Sequence, residues 1–203
     1  MLTQKIGQGG RWLLNKIVDA IGATGINPNV LTFLGLVGNI VAAVFFASSE
    51  FQLAALFIFL AGFLDMADGQ VARRMGRVTA FGAFYDSVFD RYSDMALYIG
   101  LVVHYTRIGR GFYVILAAVA MAGSVMVSYT RARAESLIPS CKVGFMERPE
   151  RLVLLILGGL FDRMAPVLWV IAVLSTLTVI HRIYYTWRET KAGRVLPTAR
   201  PSV

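Results

Sequence analysis

Asp65, Asp68, Asp86 and Asp90 lie in a strongly apolar part of the sequence, and their spacing brings them to bear on common ground. Asp65, Asp68, Gly69, Ala72 and Arg73 fall at i, i+3, i+4, i+7 and i+8, one face of a helix. Gly82, Asp86 and Asp90 recur every fourth residue on the face of a second helix. A short basic turn over 74–77 makes the two helices antiparallel neighbours whose acidic faces can meet. Carboxylates converging in a low dielectric repel one another unless cations stand between them. Oxygen-only donors suit Mg²⁺, Mn²⁺ or Ca²⁺, whereas the two histidines and the single Cys141 form no zinc-type cluster. Two such ions about 3.5–4 Å apart can stabilise both the attacking and the departing oxygen at a phosphorus centre. Gly69, Ala72 and Gly82 leave room for a bulky ligand to approach the backbone between the helices.

The helices that carry these residues belong in a membrane. The chain has 203 residues, of which 57% are hydrophobic and 16% charged, with a mean hydropathy of +0.63. That composition excludes a water-soluble globule, a disordered chain, a disulfide scaffold and a sustained coiled coil. Apolar segments long enough to cross the hydrocarbon are expected near 30–48, 51–71, 80–105, 110–133, 150–165 and 166–186. Asp162, Arg163 and Pro166 mark a polar turn between the last two. The expected fold is all-α: a polytopic membrane protein of six transmembrane helices with an N-terminal interfacial amphipathic helix. It forms one domain over 1–203, with the interfacial helix in 1–25, the bundle in 30–188 and a cytoplasmic tail in 189–203.

The net charge of +8 serves orientation rather than nucleic-acid binding. Lys5, Arg11, Lys16, Arg73, Arg74, Arg77, Arg131, Arg133, Arg148, Arg151, Arg182 and Arg188 all fall on one side of the expected bundle. The opposite loops hold Arg107, Arg110 and Arg163. The positive-inside bias therefore puts both termini and the acidic site on the cytoplasmic side of a cell (inner) membrane, in contact with its lipids. Small residues in the fourth span, among them Ala117, Ala118, Ala120, Ala122 and Ser124, serve helix packing within the bundle, a dimer seam, or both.

The segment DMADGQVARRMGRVTAFGAFYDSVFD reads D-x-x-D-G-x-x-A-R-x(8)-G-x-x-x-D-x-x-x-D and resembles the signature of the CDP-alcohol phosphotransferases at every fixed position. That resemblance implies attack of an alcohol on the β-phosphate of a CDP-linked lipid, CMP leaving, in a six-helix enzyme that forms a homodimer. Carried over position by position, it implies that Asp65, Asp68, Asp86 and Asp90 bind two divalent cations, Mg²⁺ or Mn²⁺. Asp90 is also the implied catalytic base. Gly69, Ala72, Arg73 and Gly82 would line the CDP-lipid pocket, and Pro28-Asn29-Val30-Leu31-Thr32 resembles a further family element that places Asn29 and Thr32 near the nucleotide.

The acceptor is read from the arginines. A phosphorylated alcohol calls for a basic cluster, and Arg131, Arg133, Arg148 and Arg151 are expected at the cytoplasmic mouth. SYTRARAE and GFMERPER are similar to segments of the synthases that transfer to inositol phosphate. The resemblance implies CDP-diacylglycerol as donor, inositol 1-phosphate as acceptor, and Arg131, Arg151 and Arg182 as holders of the acceptor phosphate. Arg133 and Arg148 are expected to be anchors for anionic headgroups, and Asp94 a partner of Arg91. Another acceptor such as glycerol 3-phosphate is the alternative within this chemistry. A cation- or proton-coupled transporter is the alternative outside it.

Overall fold

One hydrogen-bonded turn closes five of the six helices in the computed structural model, which describes residues 26–196. The helices are α1 (Pro28–Ala47), α2 (Phe51–Arg74), α3 (Ala80–Arg107), α4 (Gly111–Glu135), α5 (Arg148–Leu160) and α6 (Met164–Lys191). After α2, Gly76 takes φ +61°, Gly76 N–H donates to Arg73 O and Arg77 N–H donates to Ala72 O at 2.9 Å. This pair of bonds satisfies carbonyls that the helix end would otherwise leave bare, and the left-handed residue favours glycine. Ser49, Gly109, Asp162 and Gly193 repeat the arrangement after α1, α3, α5 and α6, all at positive φ. Ser49 is steadied by a 2.9 Å hydrogen bond between its Oγ and His104 Nδ1.

These tight turns make consecutive helices antiparallel, but α2 and α3 are not the packed neighbours the short turn between them suggested: each lies against α1 instead. Contacts run between α1 and both α2 and α3, between α3 and α4, between α4 and α6, and from α5 to α2 and α6. The longer connection, 136–147, joins α4 to α5, and both ends of it lie at the acidic end of the bundle. At the other end Phe46, Ile58, Leu97, Leu101, Leu116, Leu155, Leu168 and Ile171 form the apolar core.

The helices begin and end close to where hydrophobic periodicity puts them, with instructive differences. α5 has only 13 residues, about 20 Å of helix at 1.5 Å per residue, and ends at Leu160 rather than 165. Pro166 lies in the first turn of α6, where its missing N–H costs nothing, so the break is made by Asp162 and Arg163 alone. α6 continues to Lys191, past the expected end of the bundle. Four helices, α1, α2, α4 and α6, are long and apolar enough to cross a membrane by length and composition. α3 is long enough too, at 28 residues, but carries Asp86, Asp90, Arg91 and Asp94. The expected interfacial helix in 1–25 lies outside the described residues.

α4 divides its small residues cleanly. Ala117, Ala120 and Ser124 are buried within the bundle, while Ala118 and Ala122 face outward. A Gly76→Ala variant should lose about 1–2 kcal/mol from the left-handed strain a Cβ brings, read as a lower Tm in detergent. An unchanged Tm would mean the α2–α3 turn does not hold this conformation.

Candidate active site

Two helix starts and one helix end create the first part of the site. Asn27 caps α1 by accepting Asn29 N–H at 3.0 Å, and Pro28 opens the helix with φ already suited to it. Thr79 caps α3 in the same manner, its Oγ1 accepting Gly82 N–H at 2.9 Å. Both N-termini face a cavity of about 260 Å³ that is also lined by Arg73 from the last turn of α2. Asn29, Thr32, Gly69, Ala72, Arg73 and Gly82 all line it, together with Asp68 and Asp86. Two helix N-termini and a guanidinium make this polar cavity attractive to a phosphate-bearing ligand.

The four motif aspartates lie on α2 and α3, the two helices that pack on either side of α1. Asp68 is buried and its Oδ2 accepts a 2.5 Å hydrogen bond from Thr32 Oγ1, tying α1 to α2. Asp65 packs its Oδ1 against Gly35 of α1, where any side chain would collide with the carboxylate. Asp86 makes no hydrogen bond or ion pair among the described residues, and it lines both the polar cavity and an apolar groove. That groove, about 440 Å³, runs between α2 and α5 along Ile58, Phe59, Phe63, Leu152, Val153 and Ile156.

Asp90 lines the same groove and, on its other side, an arginine-lined cavity of about 420 Å³ in which four arginines face four carboxylates. Arg91, Arg131, Arg148 and Arg182 line that cavity with Asp94, Glu135 and Glu147. Arg131 bonds Glu135 at 3.3 Å and Glu147 at 3.0 Å. Arg182 is buried: its Nε donates to Val143 O at 2.8 Å, one Nη to Val127 O and the other to Glu147 at 3.1 Å. Glu147 thus spaces two of the cavity's arginines.

Three expectations change here. Asp94 does not pair with Arg91, whose guanidinium turns back to Ser87 O; it pairs with Arg151 at 2.6 Å and with Arg148 at 3.3 Å. Arg151 is not on the cavity wall: it is 1% exposed, bonded to Asp94 and to Met146 O, and acts on the cavity through Asp94. Arg148 is not a surface anchor, because its guanidinium lies among Asp65 (2.9 Å), Asp90 (2.7 Å) and Asp94 (3.3 Å). Arg133, bonded to Ser136, stays at the outer surface as expected of an anchor.

Chemically the aspartates suit a hard divalent cation, since every donor is a carboxylate oxygen and Gly35 gives Asp65 its room. As placed, no three acidic, histidine or cysteine side chains among the described residues enclose a metal position; Arg148 stands between Asp65 and Asp90. The two histidines and the cysteine lie elsewhere: His104 at the opposite end with Ser49, His181 beside Phe145, and Cys141 beside Ala134 and Ile138.

Sequence comparison finds the CDP-alcohol phosphatidyltransferase family over residues 25–187. An archaetidylinositol phosphate synthase of Methanothermobacter thermautotrophicus is 35% identical over 89% of this chain and 94% of its own length. A phosphatidylinositol phosphate synthase of Streptomyces avermitilis is 37% identical over 81% of this chain and 74% of its own. Among solved structures, the Mycobacterium tuberculosis phosphatidylinositol phosphate synthase with CDP-DAG bound superposes with a TM-score of 0.81 at 27% identity, covering 94% of this chain and 98% of that one. The same enzyme in complex with manganese and citrate superposes with a TM-score of 0.78.

Replacing Thr32 by Val keeps its shape and removes the donor to buried Asp68. The loss should be about 1.5–3 kcal/mol, the range for hydrogen bonds to charged groups, read as a lower Tm of the metal-free protein. An equal Tm would show that Asp68 does not depend on this bond.

Proposed function

The chain belongs to the CDP-alcohol phosphatidyltransferase family, and from that premise we propose that it transfers the phosphatidyl group of CDP-diacylglycerol to inositol 1-phosphate, releasing CMP. The observation that carries this reading is the sharing of carboxylates between cavities. Asp86 borders both the polar cavity and the apolar groove, and Asp90 both the groove and the arginine-lined cavity. A nucleotide, a lipid tail and a phosphorylated alcohol each find a chamber of matching character, and the three chambers meet along one acidic row.

In this reading Arg73 and the N-termini of α1 and α3 hold the diphosphate, with Asn29, Thr32, Gly69, Ala72 and Gly82 shaping the nucleotide's surroundings. Acyl chains lie along Phe59, Phe63, Leu152 and Ile156. Asp65, Asp68, Asp86 and Asp90 would hold two divalent cations, Mg²⁺ or Mn²⁺, which supply charge stabilisation for the phosphoryl oxygens and the departing CMP. Arg131 and Arg182 orient the acceptor phosphate, while Arg151 positions the wall through Asp94. The acceptor hydroxyl oxygen forms a bond to the β-phosphorus as the bond from that phosphorus to the CMP oxygen breaks. The hydroxyl proton passes to an Asp90 carboxylate oxygen. All six helices cross the membrane in this reading, with the short α5 accommodated by local thinning and the site at the cytoplasmic face. The chain forms a homodimer.

Purified protein given CDP-diacylglycerol and Mg²⁺ or Mn²⁺ should release CMP with inositol 1-phosphate, and not with free inositol, glycerol 3-phosphate or serine. Release only with glycerol 3-phosphate would keep the chemistry and replace the acceptor; no release with any alcohol would favour a transporter. Asp90→Asn should cut turnover by about 10²–10⁴-fold while CDP-lipid binding persists, and retained turnover would remove its role as base. Arg131→Ala should raise the acceptor KM with kcat little changed. An unaltered KM would take Arg131 out of acceptor binding.

A further inference from the structure

Arg148 opens α5, held there by Pro149 behind it, and reaches across to two other helices. Each of its three guanidinium nitrogens meets a different carboxylate: Nη2 meets Asp65 Oδ2, Nη1 meets Asp90 Oδ1 and Nε meets Asp94 Oδ1. An arginine that recognises one carboxylate uses two parallel donors on it. This one spreads its donors over separate acidic groups from α2 and α3, which is the task a bound metal ion performs. Asp94 has a second cation, since Arg151 bonds its other oxygen at 2.6 Å from a fully buried position. The charge of Arg148 therefore falls chiefly to Asp65 and Asp90.

Those are two of the carboxylates assigned above to divalent cations, and cations in contact with the same oxygens repel strongly in a poorly hydrated site. We infer that Arg148 is a resident counter-cation that exchanges with divalent metal: it pairs Asp65 and Asp90 in the metal-free protein and gives them up when metal binds. The inference rests on the metal-ligand reading of the two aspartates. Arg148 has somewhere to go. Its side chain is 19% exposed and borders the apolar groove on one side and the arginine-lined cavity on the other, so a rotation about its own stem carries the guanidinium into that cavity, where Glu135 and Glu147 supply carboxylates. Asp94 remains as its tether. Metal binding then proceeds as a replacement of one cation by another. In that cavity four arginines face four carboxylates, so a guanidinium released from Asp65 and Asp90 tips the balance towards anions and links metal occupancy to acceptor binding through one side chain.

The test is titration of the metal-free, detergent-solubilised full chain with Mn²⁺ alone, following the free-ion paramagnetic resonance signal, in wild type, Arg148→Gln and Arg148→Lys. With the competing charge gone, Arg148→Gln should bind Mn²⁺ roughly tenfold more tightly or better, a fraction of what unit charges this close can exert. Its metal-free Tm should fall while its Mn²⁺-saturated Tm stays near that of wild type. Arg148→Lys keeps a charge but cannot span three carboxylates, so its affinity should also rise, by less, and it decides the matter if the glutamine variant does not fold. Unchanged or weaker Mn²⁺ binding in a folded variant overturns the exchange. Wild-type protein that binds no Mn²⁺, or binds it as well after Asp65→Asn, overturns the metal-ligand reading itself and the exchange with it.

Discussion

Acidic side chains far from bulk water must be matched by positive charge, and the site end of this bundle is organised around that requirement. Carboxylates at membrane depth cost several kcal/mol each when unpaired. Arg148 reaches Asp65 and Asp90 from a third helix, Arg151 lies beneath Asp94, and Thr32 supplies a hydroxyl to Asp68 from a fourth direction. Removing one partner from such a group leaves the other stranded, which makes these contacts more constraining than their net contribution to stability. The packing of α5 against α2 follows from them as much as from the apolar residues between the two helices.

The tight turns matter for the same reason. A left-handed residue after each of α1, α2, α3 and α5 reverses the chain within a few residues, and because α2 and α3 both pack on α1 their carboxylates are held on the same side of the bundle, bridged by Arg148. The connection between α4 and α5 is longer, and Arg182 pins it: one guanidinium joins Val127 of α4, Val143 of the connection and Glu147 beside α5. The floor of the arginine-lined cavity is thus tied together by two backbone carbonyls and one carboxylate on a single guanidinium.

What the sequence made legible was local. Helical periodicity alone assembles Asp65, Asp68, Gly69, Ala72 and Arg73 on one face, and the six residues expected around the nucleotide do line a single cavity. Composition marks four helices as long and apolar enough to cross a membrane, and α3, of equal length to the longest of them, falls short because it carries Asp86, Asp90, Arg91 and Asp94. The contacts of Arg148 and Arg151 were not legible. They join residues 54, 57 and 83 positions apart, and which of several arginines meets which aspartate is settled by how α5 lies against α2 and α3. Arg151 and Arg148 occur three residues apart with similar neighbours, yet one is sealed in and the other borders two cavities. Glu147, adjacent to Arg148, was a signal in plain view: an acid among so many bases suggests a spacer between them.

The polar side chains stop partway along the bundle. One turn beyond Asp94, Tyr98 accepts a hydrogen bond from Ser124, and from there Leu97, Leu101, Phe46, Ile58 and Leu168 fill the interior to the far end. At that end Ser49 and His104 join α3 to the turn after α1, and Arg107 caps α1 by donating to Ala47 O. Such a plug is an insulator. Among the described residues, a proton or metal ion at the carboxylates meets packed apolar side chains towards the far end, so a charged cluster can sit inside such a bundle without becoming a leak for ions.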